Sequence, residues 1–435
     1  MLQNAVSMNE DFLAYVWKFQ YFDKTNLTVA SGEPLVVLRT GIQNFNAGPD
    51  FLDAGVKVGD ITWAGAVELH VKASDWQKHQ HTTDLKYDQV ILHVVWENDA
   101  PITRTNGSGI PVLELKNLVA PGLLKTYQEL KQPKQTIPCE PFLAEINELT
   151  KITMVERSLL ERLESKAERV RGIYQSSNHN WEATAYELLL SGFGFKINQP
   201  GFVKLAKALP VKILQKHRHQ VLQTEALFFG QAGFLTENSE DEYLKQLQKE
   251  YSFLNYKYNL PEPLQRADWN FLRLRPANFP TVRLAQLAAL FTVREHWFSS
   301  FLESKTLKQY ETFFAVKPSS YWQEHYMPER KGNIKIGSLG KSSIYSLIIN
   351  VVSPLIVAYA RETDQPELIE KALSLLEQLP AEKNSVLNMY ESLNFENRSA
   401  AQSQGLLWLN QAYCQPVNCL QCAIGNKVLK KNKAV

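Results

Sequence analysis

The fold of the first part of this chain is decided by two short stretches, Gly-Pro-Asp-Phe at 48–51 and Gly-Ala-Val-Glu-Leu-His at 65–70. Residues two apart in a strand point to the same side of a sheet, so Glu68 and His70 share a face there. More histidines follow soon afterwards in the sequence. Carboxylates and imidazoles crowded in this way are typical of metal ligands and of acid–base groups. The two stretches therefore predict a metal-binding active site.

The turn between these stretches sets which side chains face each other. Two predicted strands, 51–58 and 61–72, form a hairpin. If its loop has two residues, Asp50 lies opposite Leu69 and faces away from Glu68. If the loop has three residues, Asp50 lies opposite Glu68. A bulge at the glycine of the second strand would also shift the parity and move Asp50 to the face of Glu68. The sequence thus permits Asp50 and Glu68 to share a face without requiring it.

The composition is that of a globular protein. The chain has 435 residues, of which 44% are hydrophobic, and a net charge of +2. This length predicts two or three domains, and the small net charge means that any basic surface is local. We find no apolar run that approaches the length of a membrane span, and no signal peptide. We therefore expect a cytoplasmic protein without a membrane partner, and the sequence leaves its oligomeric state open.

The spacing of the hydrophobic residues changes near residue 145. Before it, residues alternate as in strands, and further strands are predicted at 34–39, 90–96 and 111–115. After it, apolar residues recur every three to four positions, as on the buried face of helices. We expect an α+β protein, with a mixed sheet and flanking helices in residues 1–135 and a mainly helical domain in residues 136–435.

Several polar residues near the predicted site also have an ordinary structural explanation. Asn9 is placed to cap an N-terminal helix, where Glu10 either complements the helix dipole or supplies a third carboxylate to the site. Ser74 and Gln77 resemble a capping box that opens a short helix carrying His79. His93 lies in an apolar strand and is interpreted as a core histidine with one hydrogen bond.

A second group of possible metal ligands ends the chain. Cys414, Cys419 and Cys422 have the spacing of the first three ligands of a plant-type iron–sulfur site, and zinc accepts the same thiolates. Cys139 is the one other cysteine in the sequence. It either completes a four-cysteine site or is an unliganded buried cysteine. A complete site would hold the C-terminal segment at the junction of the two domains.

Arginines in the second part are candidates for contacts with phosphate. Arg273, Arg275 and Arg283 lie on or beside a turn framed by prolines, and guanidinium groups on a rigid turn suit a nucleic-acid backbone. They suit equally well the capping of helix carbonyls or ion pairs within a helical domain. The basic residues of the long helix predicted from about residue 148 lie among glutamates, which is typical of a solvated face with ion pairs four residues apart.

Over nearly its whole length, the sequence resembles an uncharacterised bacterial family known only as a domain of unknown function. The resemblance rests on the stretches at 48–51 and 65–70, the histidines that follow them and the terminal cysteines, and it implies no activity. The first part more distantly resembles the PD-(D/E)XK phosphodiesterases, whose fold places a helix glutamate, an aspartate and a Glu-x-Lys around a divalent metal. Glu10, Asp50 and Glu68 match these positions.

That resemblance implies a metal-dependent phosphodiesterase, a nuclease-like hydrolase that acts on DNA or RNA. Asp50 and Glu68 would hold Mg²⁺ or Mn²⁺, and His70, at the position of the usual lysine, or Lys72 would orient or deprotonate a bound water. In a variant of this site, zinc or iron would be held by Glu68, His70, His79 and His81. Some nucleases of that superfamily also carry a four-cysteine iron–sulfur site, although here Cys139 follows the nuclease-like part instead of preceding it.

A different class of function remains open at this stage. The chain would then be a non-catalytic scaffold that binds nucleic acid or protein and contains a structural metal. The two alternatives differ in whether Asp50 and Glu68 share a face of the sheet.

Overall fold

The computed structural model describes residues 8–235, 239–333 and 335–431, which fold as two compact units. The first, the sheet unit, is Met1–Val155 together with Leu407–Val435, and the second, the helical unit, is Glu156–Leu406. The predicted division at 135/136 therefore lies elsewhere. The helical pattern begins about ten residues before the helical unit does, and the C-terminal segment belongs to the sheet unit.

The sheet unit is built on a six-stranded mixed sheet, as predicted. Its strands are β1 (Leu35–Arg39), β2 (Ile42–Gln43), β3 (Phe51–Val58), β4 (Ile61–Lys72), β5 (Val90–Glu97) and β6 (Val112–Glu114). They lie in the order β1-β3-β4-β5-β6, and β2 also pairs with β3. β3 is antiparallel to β1, β2 and β4, whereas β5 is parallel to β4 and β6. The predicted hairpin at 51–58 and 61–72 is confirmed residue for residue.

A bulge in β3 changes the register of the hairpin. The hairpin loop has two residues, because Val58 pairs with Ile61. Near the start of β3 the ladder shifts by one residue, and Phe51 pairs with Val67. Two residues of β3 are thus accommodated opposite one residue of β4, which is the definition of a bulge. Asp53 lies in this bulge with a φ of 55°, a left-handed conformation in which aspartate is found more often than most residues.

This shift places Asp50 opposite Glu68. A regular ladder from the two-residue loop would have placed Asp50 opposite Leu69. The expected ways of correcting the register, a three-residue loop or a bulge at Gly65, are therefore wrong. Gly65 serves a different purpose, since a Cβ there would lie 2.5 Å from the carbonyl oxygen of Gln89. Glycine lets the two backbones approach closely at this point.

Three helices flank the sheet, and a fourth begins in the same unit. They are α1 (Glu10–Phe19), α2 (Asp75–Lys78), α3 (Pro121–Lys131) and α4 (Glu148–Ser176). Asn9 caps α1 as predicted, because its Oδ1 accepts a hydrogen bond from the N–H of Phe12 at 3.1 Å. The predicted capping box of α2 is wrong. The side chain of Ser74 caps no N–H group of the helix, and its hydroxyl donates to Asp99 instead.

The helical unit confirms the mainly helical second part. Its helices after α4 are α5 (Trp181–Phe193), α6 (Gln199–Ala208), α7 (Val211–His217), α8 (Val221–Gln231), α9 (Glu242–Tyr258), α10 (Pro280–Val293), α11 (Trp297–Glu303), α12 (Leu307–Phe314), α13 (Ser320–Glu324), α14 (Lys341–Leu347), α15 (Ser353–Thr363), α16 (Pro366–Gln378), α17 (Ser385–Ser392) and α18 (Ala400–Trp408), the last of which ends in the sheet unit. The strands described here are short, β7 (His325–Met327) and β8 (Arg330–Lys331). The final helix, α19 (Ala423–Lys431), belongs to the sheet unit.

One stretch of the described chain, Lys341–Thr363, is long and apolar enough to cross a membrane. The expectation that no apolar run approaches that length is therefore wrong. A π-helical turn, Ile348–Val352, joins α14 and α15 within this stretch. Its most apolar window is 72% buried inside the protein, which is consistent with the core helix of a soluble protein.

Candidate metal centre

The centre is formed by β4 and the segment that follows it. Glu68 and His70 alternate with residues of the other face of β4, and both are buried, with 5% and 1% of their surface exposed. His79 directly follows α2, and His81 opens the 3₁₀ turn His81–Thr83. We call Glu68, His70, His79 and His81 the His–Glu cluster.

The side-chain atoms of this cluster converge. One ring nitrogen from each of the three histidines lies within 4.8 Å of the other two. His70 Nε2 is 3.0 Å from His79 Nδ1. Glu68 Oε1 is 3.4 Å from His81 Nε2 and 3.7 Å from His70 Nε2. Tetrahedral zinc, with bonds of about 2.0–2.1 Å to nitrogen, separates its ligand atoms by roughly 3.4 Å. The cluster therefore has the donor set and the spacing of a metal site.

One ring nitrogen of the cluster has an unused lone pair or proton. Nε2 of His81 is buried and makes no hydrogen bond within the described chain. Burial also lowers the pKa of the His81 ring, so the ring is neutral at pH 7. A buried polar nitrogen without a hydrogen bond is costly in a folded protein, and a bound ion is one of the ordinary explanations.

His93 orients His70 from the adjacent strand. Its Nε2 lies 2.8 Å from His70 Nδ1, and both rings are fully buried. This agrees with the interpretation of His93 as a core histidine with one hydrogen bond. Burial, with the neighbouring imidazoles, lowers the pKa of His70 to about 2 and that of His93 to about 3. A neutral His70 that donates through Nδ1 keeps its Nε2 lone pair for a metal, which is the usual arrangement around metal-binding histidines.

Asp50 and Glu68 are linked across the hairpin. The N–H of Asp50 donates to Glu68 Oε2 at 3.1 Å, and the N–H of Leu69 donates to Asp50 Oδ2 at 3.0 Å. Burial raises the pKa of Asp50 to about 7, with a further contribution from the Glu68 charge, and burial raises the pKa of Glu68 to about 8. In the described chain, neither carboxylate is paired with a lysine or an arginine. Such a pair favours a bound cation.

Glu10 joins the centre from α1, on its exposed side. Desolvation raises the pKa of its carboxyl, and the charge of His79 opposes that shift. Glu10 in turn raises the pKa of Asp50 and that of Glu68. The structure thus places all three predicted carboxylates around the His–Glu cluster.

His70 and Lys72 are the two residues predicted to act on the water. The His70 ring contacts His93 through one nitrogen and His79 through the other, which makes it part of the His–Glu cluster. Lys72 is exposed at the end of β4, where its charge lowers the pKa of Asp99. The roles of both residues in orienting or deprotonating a water stay predictions.

The three predicted phosphate-binding arginines lie in the helical unit. Arg273 and Arg275 are exposed on the turn before α10. Arg283 is buried, and its guanidinium donates to Asn278 and to Gln286 inside the unit. Arg283 therefore lies in the interior of the helical unit and not on an open surface.

The four cysteines come together in the sheet unit. All four are buried. Burial raises the pKa of Cys139, and the three other cysteines raise it further. Burial likewise raises the pKa of Cys419 to about 12, with Cys422 and Cys414 contributing. These mutual effects indicate that the four side chains lie in one region of the sheet unit.

Local structure accounts for how the terminal cysteines are presented. Cys414 ends the π-helical turn Leu409–Cys414, and Cys419 begins the 3₁₀ turn Cys419–Gln421. Gly425, in the first turns of α19, packs against the carbonyl of Cys419, where a Cβ would lie 2.2 Å from the oxygen. Glycine is therefore required for α19 to dock on the cysteine segment.

Aromatic residues around the His–Glu cluster were not predicted from the sequence. The Tyr87 ring stacks on His81 with ring centroids 3.7 Å apart. The Trp76 ring meets His81 edge-on at 5.4 Å, and its Nε1 donates to Thr82 at 3.1 Å. These contacts hold the 3₁₀ turn that carries His81. They join residues of α2 and of two short 3₁₀ turns, His81–Thr83 and Leu85–Tyr87. No periodic pattern in the sequence gives a signal for such contacts.

Comparison with known proteins supplies the family of this chain. No curated protein and no solved structure matches it. The more distant resemblance to PD-(D/E)XK phosphodiesterases therefore stays a prediction. The family match covers most of the chain and ends before the three C-terminal cysteines. Residues 10–385 match the family described as a protein of unknown function (DUF2851), and the chain belongs to that family.

Proposed function

We propose that this protein is a metal-dependent hydrolase of phosphodiester bonds in DNA or RNA, with its metal held by the His–Glu cluster. The observation that carries the proposal is the convergence of three imidazole nitrogens, all within 4.8 Å of one another, with Glu68 Oε1 beside those of His70 and His81. Asp50 lies beside these ligands and remains available for the reaction. The phosphodiester substrate rests on the match of Glu10, Asp50 and Glu68 to the carboxylates of the PD-(D/E)XK pattern.

The donor set favours zinc or iron(II) over magnesium and manganese. Magnesium prefers oxygen ligands and keeps several waters, whereas imidazole suits zinc and iron. Three of the four cluster ligands are imidazoles. When bound, the metal supplies Lewis acidity and lowers the pKa of a coordinated water. The Mg²⁺ site expected from Asp50 and Glu68 alone is the second choice, because Glu68 also faces His70 and His81.

The residues around the metal ligands have separate roles, which are to orient the ligands and to act on the water. His93 holds His70 through its Nδ1, and Tyr87 holds His81 by stacking. Asp50 is hydrogen-bonded to Glu68 through its N–H, and we assign its carboxylate the acceptance of a proton from the attacking water. Glu10, on the exposed side, is placed to orient that water or the leaving group.

We propose a structural metal for the four cysteines. Four buried thiols close to one another form a zinc or iron–sulfur ligand set, and a bound metal would deprotonate them. Such a site would tie the segment that ends in α19 to the loop that carries Cys139. Its role is in folding and not in the reaction.

The test combines metal analysis with activity. Protein purified without oxygen is analysed for zinc, iron and manganese, and is then assayed on single- and double-stranded DNA and RNA with each added metal. We expect His79→Gln to lose the metal of the His–Glu cluster together with hydrolysis. Asp50→Asn should keep the metal and lose hydrolysis. His296→Gln, an exposed histidine in the helical unit, serves as the matched control and should behave as wild type.

Two outcomes would contradict the proposal. Wild-type protein that binds metal at the cluster but cleaves no nucleic acid would remove the nuclease assignment. Protein that binds no metal there would leave the non-catalytic scaffold as the better description.

A further inference from the structure

The basic residues of α4 do not all belong to a solvated face. Arg157 pairs with Glu161 at 2.9 Å, and Arg171 pairs with Glu168 at 2.8 Å, as the sequence predicted for ion pairs along a helix. Arg162, Lys166 and Arg169 follow a different pattern. They recur at intervals of four and three residues, so they share one side of α4.

These three cations line a cavity in the helical unit. Its volume is about 700 Å³, and Lys196, from the segment after α5, lines it as well. Ser346 and Asn350 add polar groups to the wall. The described residues that line this cavity include four cations and no carboxylate. Like charges around one cavity repel each other, and an anion inside it would remove that cost.

Lys166 is the most deeply buried of these cations. It is 8% exposed, and its Nζ donates to Gln404 Oε1 at 2.7 Å and to Asn350 Oδ1 at 2.9 Å. Both partners are neutral amides. Burial, together with the Arg162 charge, lowers the pKa of Lys166 to about 7. The carboxylate of Glu382 acts on Lys166 only from a distance, and it accepts a hydrogen bond from Gln404.

A structural explanation covers part of this arrangement. Pro354 has no N–H, so a carbonyl of the π-helical turn before it lacks a helix donor. The Nζ of Lys166 lies 3.4 Å from the carbonyl oxygen of Ile349 in that turn. This contact accounts for a hydrogen-bond donor at residue 166. It does not explain why Arg162, Arg169 and Lys196 face the same cavity. π-helical turns are themselves common at functional sites.

A second cavity adjoins the first and contains another buried cation. It has a volume of about 380 Å³ and shares Phe195, Lys196 and Ser346 with the larger cavity. Arg283 lines it, is 6% exposed and makes no hydrogen bond through Nε in the described chain. Its guanidinium lies over the Phe195 ring, 4.7 Å from the centroid. Phe195 has a left-handed φ of 47°, a strained conformation that often accompanies function.

We infer that the two adjoining cavities bind a small phosphorylated molecule, with its phosphate among Arg162, Lys166 and Arg169 and its body towards Phe195 and Arg283. Guanidinium and ammonium groups converging on one space are the usual donors to a phosphate dianion. The volumes lie within the range of small-molecule sites, about 300–1,000 Å³. A cavity between helices favours a small molecule over a nucleic acid, which is tracked along an open groove. This inference is independent of the function proposed above.

Isothermal titration of the full-length protein as purified, with inorganic phosphate and with phenyl phosphate, tests the inference at ionic strength held constant with sodium chloride. We expect both probes to bind, and phenyl phosphate to bind more tightly because its ring reaches the apolar wall. Arg169→Gln and Lys166→Met should each weaken binding at least about tenfold, which is 1.4 kcal/mol. Arg157→Gln removes one charge from the same helix outside the cavity, and it should bind as wild type does.

Three results would overturn the inference. One is the absence of binding for both probes at millimolar concentration, and another is an equal loss of binding in Arg157→Gln. The third is a short single-stranded oligonucleotide that binds more tightly than phenyl phosphate and is sensitive to the same variants, because it would identify a nucleic-acid surface. Thermal melting of each variant checks that it is folded. Arg169 is exposed, so Arg169→Gln keeps the test valid even if Lys166→Met does not fold.

Discussion

Glu68 and Lys166 are buried ionisable side chains in different units, and neither has an ion-pair partner of fixed opposite charge in the described chain. Each is held by hydrogen bonds, Glu68 from the N–H of Asp50 and Lys166 to two amides. Buried charge is expensive unless something compensates it. A metal ion at Glu68 and an anion at Lys166 would each provide that compensation.

Lys166 should make the stability of the protein depend on pH. Its pKa is about 7 in the folded state and has an ordinary value of 10.5 when unfolded. Between these values the unfolded state binds more protons, so this residue makes stability rise with pH across that window, by at most about 1.4 kcal/mol per pH unit. The other charged groups that act on Lys166 are Arg162, Arg169 and Glu382.

Lys166→Met should remove this slope and raise the free energy of unfolding at pH 7. Urea denaturation at pH 7, 8 and 9, in a buffer free of phosphate, measures it. Arg157→Gln is again the control, because an exposed arginine leaves the slope in place. Equal slopes in wild type and Lys166→Met would mean that Lys166 stays charged in the folded protein.

At the scale of secondary structure, one bulge in β3 decides whether Asp50 lies opposite Glu68. The loop and strand lengths are local properties. The bulge, by contrast, needs the partner strand, because it depends on which residues of β3 and β4 pair. Bulges next to functional sites commonly redirect a side chain in this way.

Deletion of Asp53 should restore a regular ladder and leave Asp50 opposite Glu68, because it removes the extra residue of β3 and keeps the pairing of Phe51 with Val67. We expect the variant to fold with the same strands and to keep both the contact between Asp50 and Glu68 and hydrolysis. Asp53→Gly keeps the bulge, because glycine adopts the positive φ of 55° without strain, and should be equally active. Metal content, hydrolysis and circular dichroism of the two variants measure the outcome. A folded but inactive deletion variant, beside an active Asp53→Gly, would show that the bulge does more than set the register.

Gly65→Ala should destabilise the sheet. The added methyl group would lie 2.5 Å from the Gln89 carbonyl oxygen and 2.6 Å from the side chain of Ile91, so β4 and β5 must separate. Overpacking of this kind costs about 1–3 kcal/mol. Denaturant unfolding measures the loss, and Gly109→Ala, with open space around its Cβ position, is the control. A loss below about 0.5 kcal/mol would mean that the strands adjust freely.

At the scale of the whole molecule, the sheet unit is closed by the end of the chain. α19 packs with buried Ile424, Val428 and Leu429, and the Nζ of Lys431 donates to the carbonyl of Glu145 at 2.9 Å. The N–H of Ala423 also donates to the sulfur of Met154. The cysteine site lies among these contacts, so metal binding there and the docking of α19 should be coupled.

Cys419→Ser should lose the metal of the cysteine site and lower the melting temperature of the protein, while the metal of the His–Glu cluster remains. The reason is that three thiolates hold zinc or an iron–sulfur cluster less tightly than four and leave a polar hydroxyl buried. Metal analysis and thermal melting of Cys419→Ser beside His79→Gln separate the two sites. Full metal content with unchanged melting would exclude a metal at the cysteines.

The sequence by itself determined what depends on near neighbours in the chain. The alternation of residues 51–58 and 61–72 predicted the hairpin strands, and the spacing of apolar residues after residue 145 predicted the helices. Asn9 was predicted as a cap from its place before Glu10 and the first buried residues of α1. Periodicity and capping act over a few residues, so they can be read without knowledge of the fold.

Tertiary structure alone decided what depends on distant partners. The parallel pairing of β4 with β5 brings His93 to His70, and the bulge in β3 brings Asp50 to Glu68. The return of the C-terminal segment to the sheet unit brings three cysteines to Cys139. The same is true of the cations on α4, whose cavity is completed by residues almost two hundred positions further along. A local pattern cannot specify these contacts, because each arises only when the backbones of separate elements pack together.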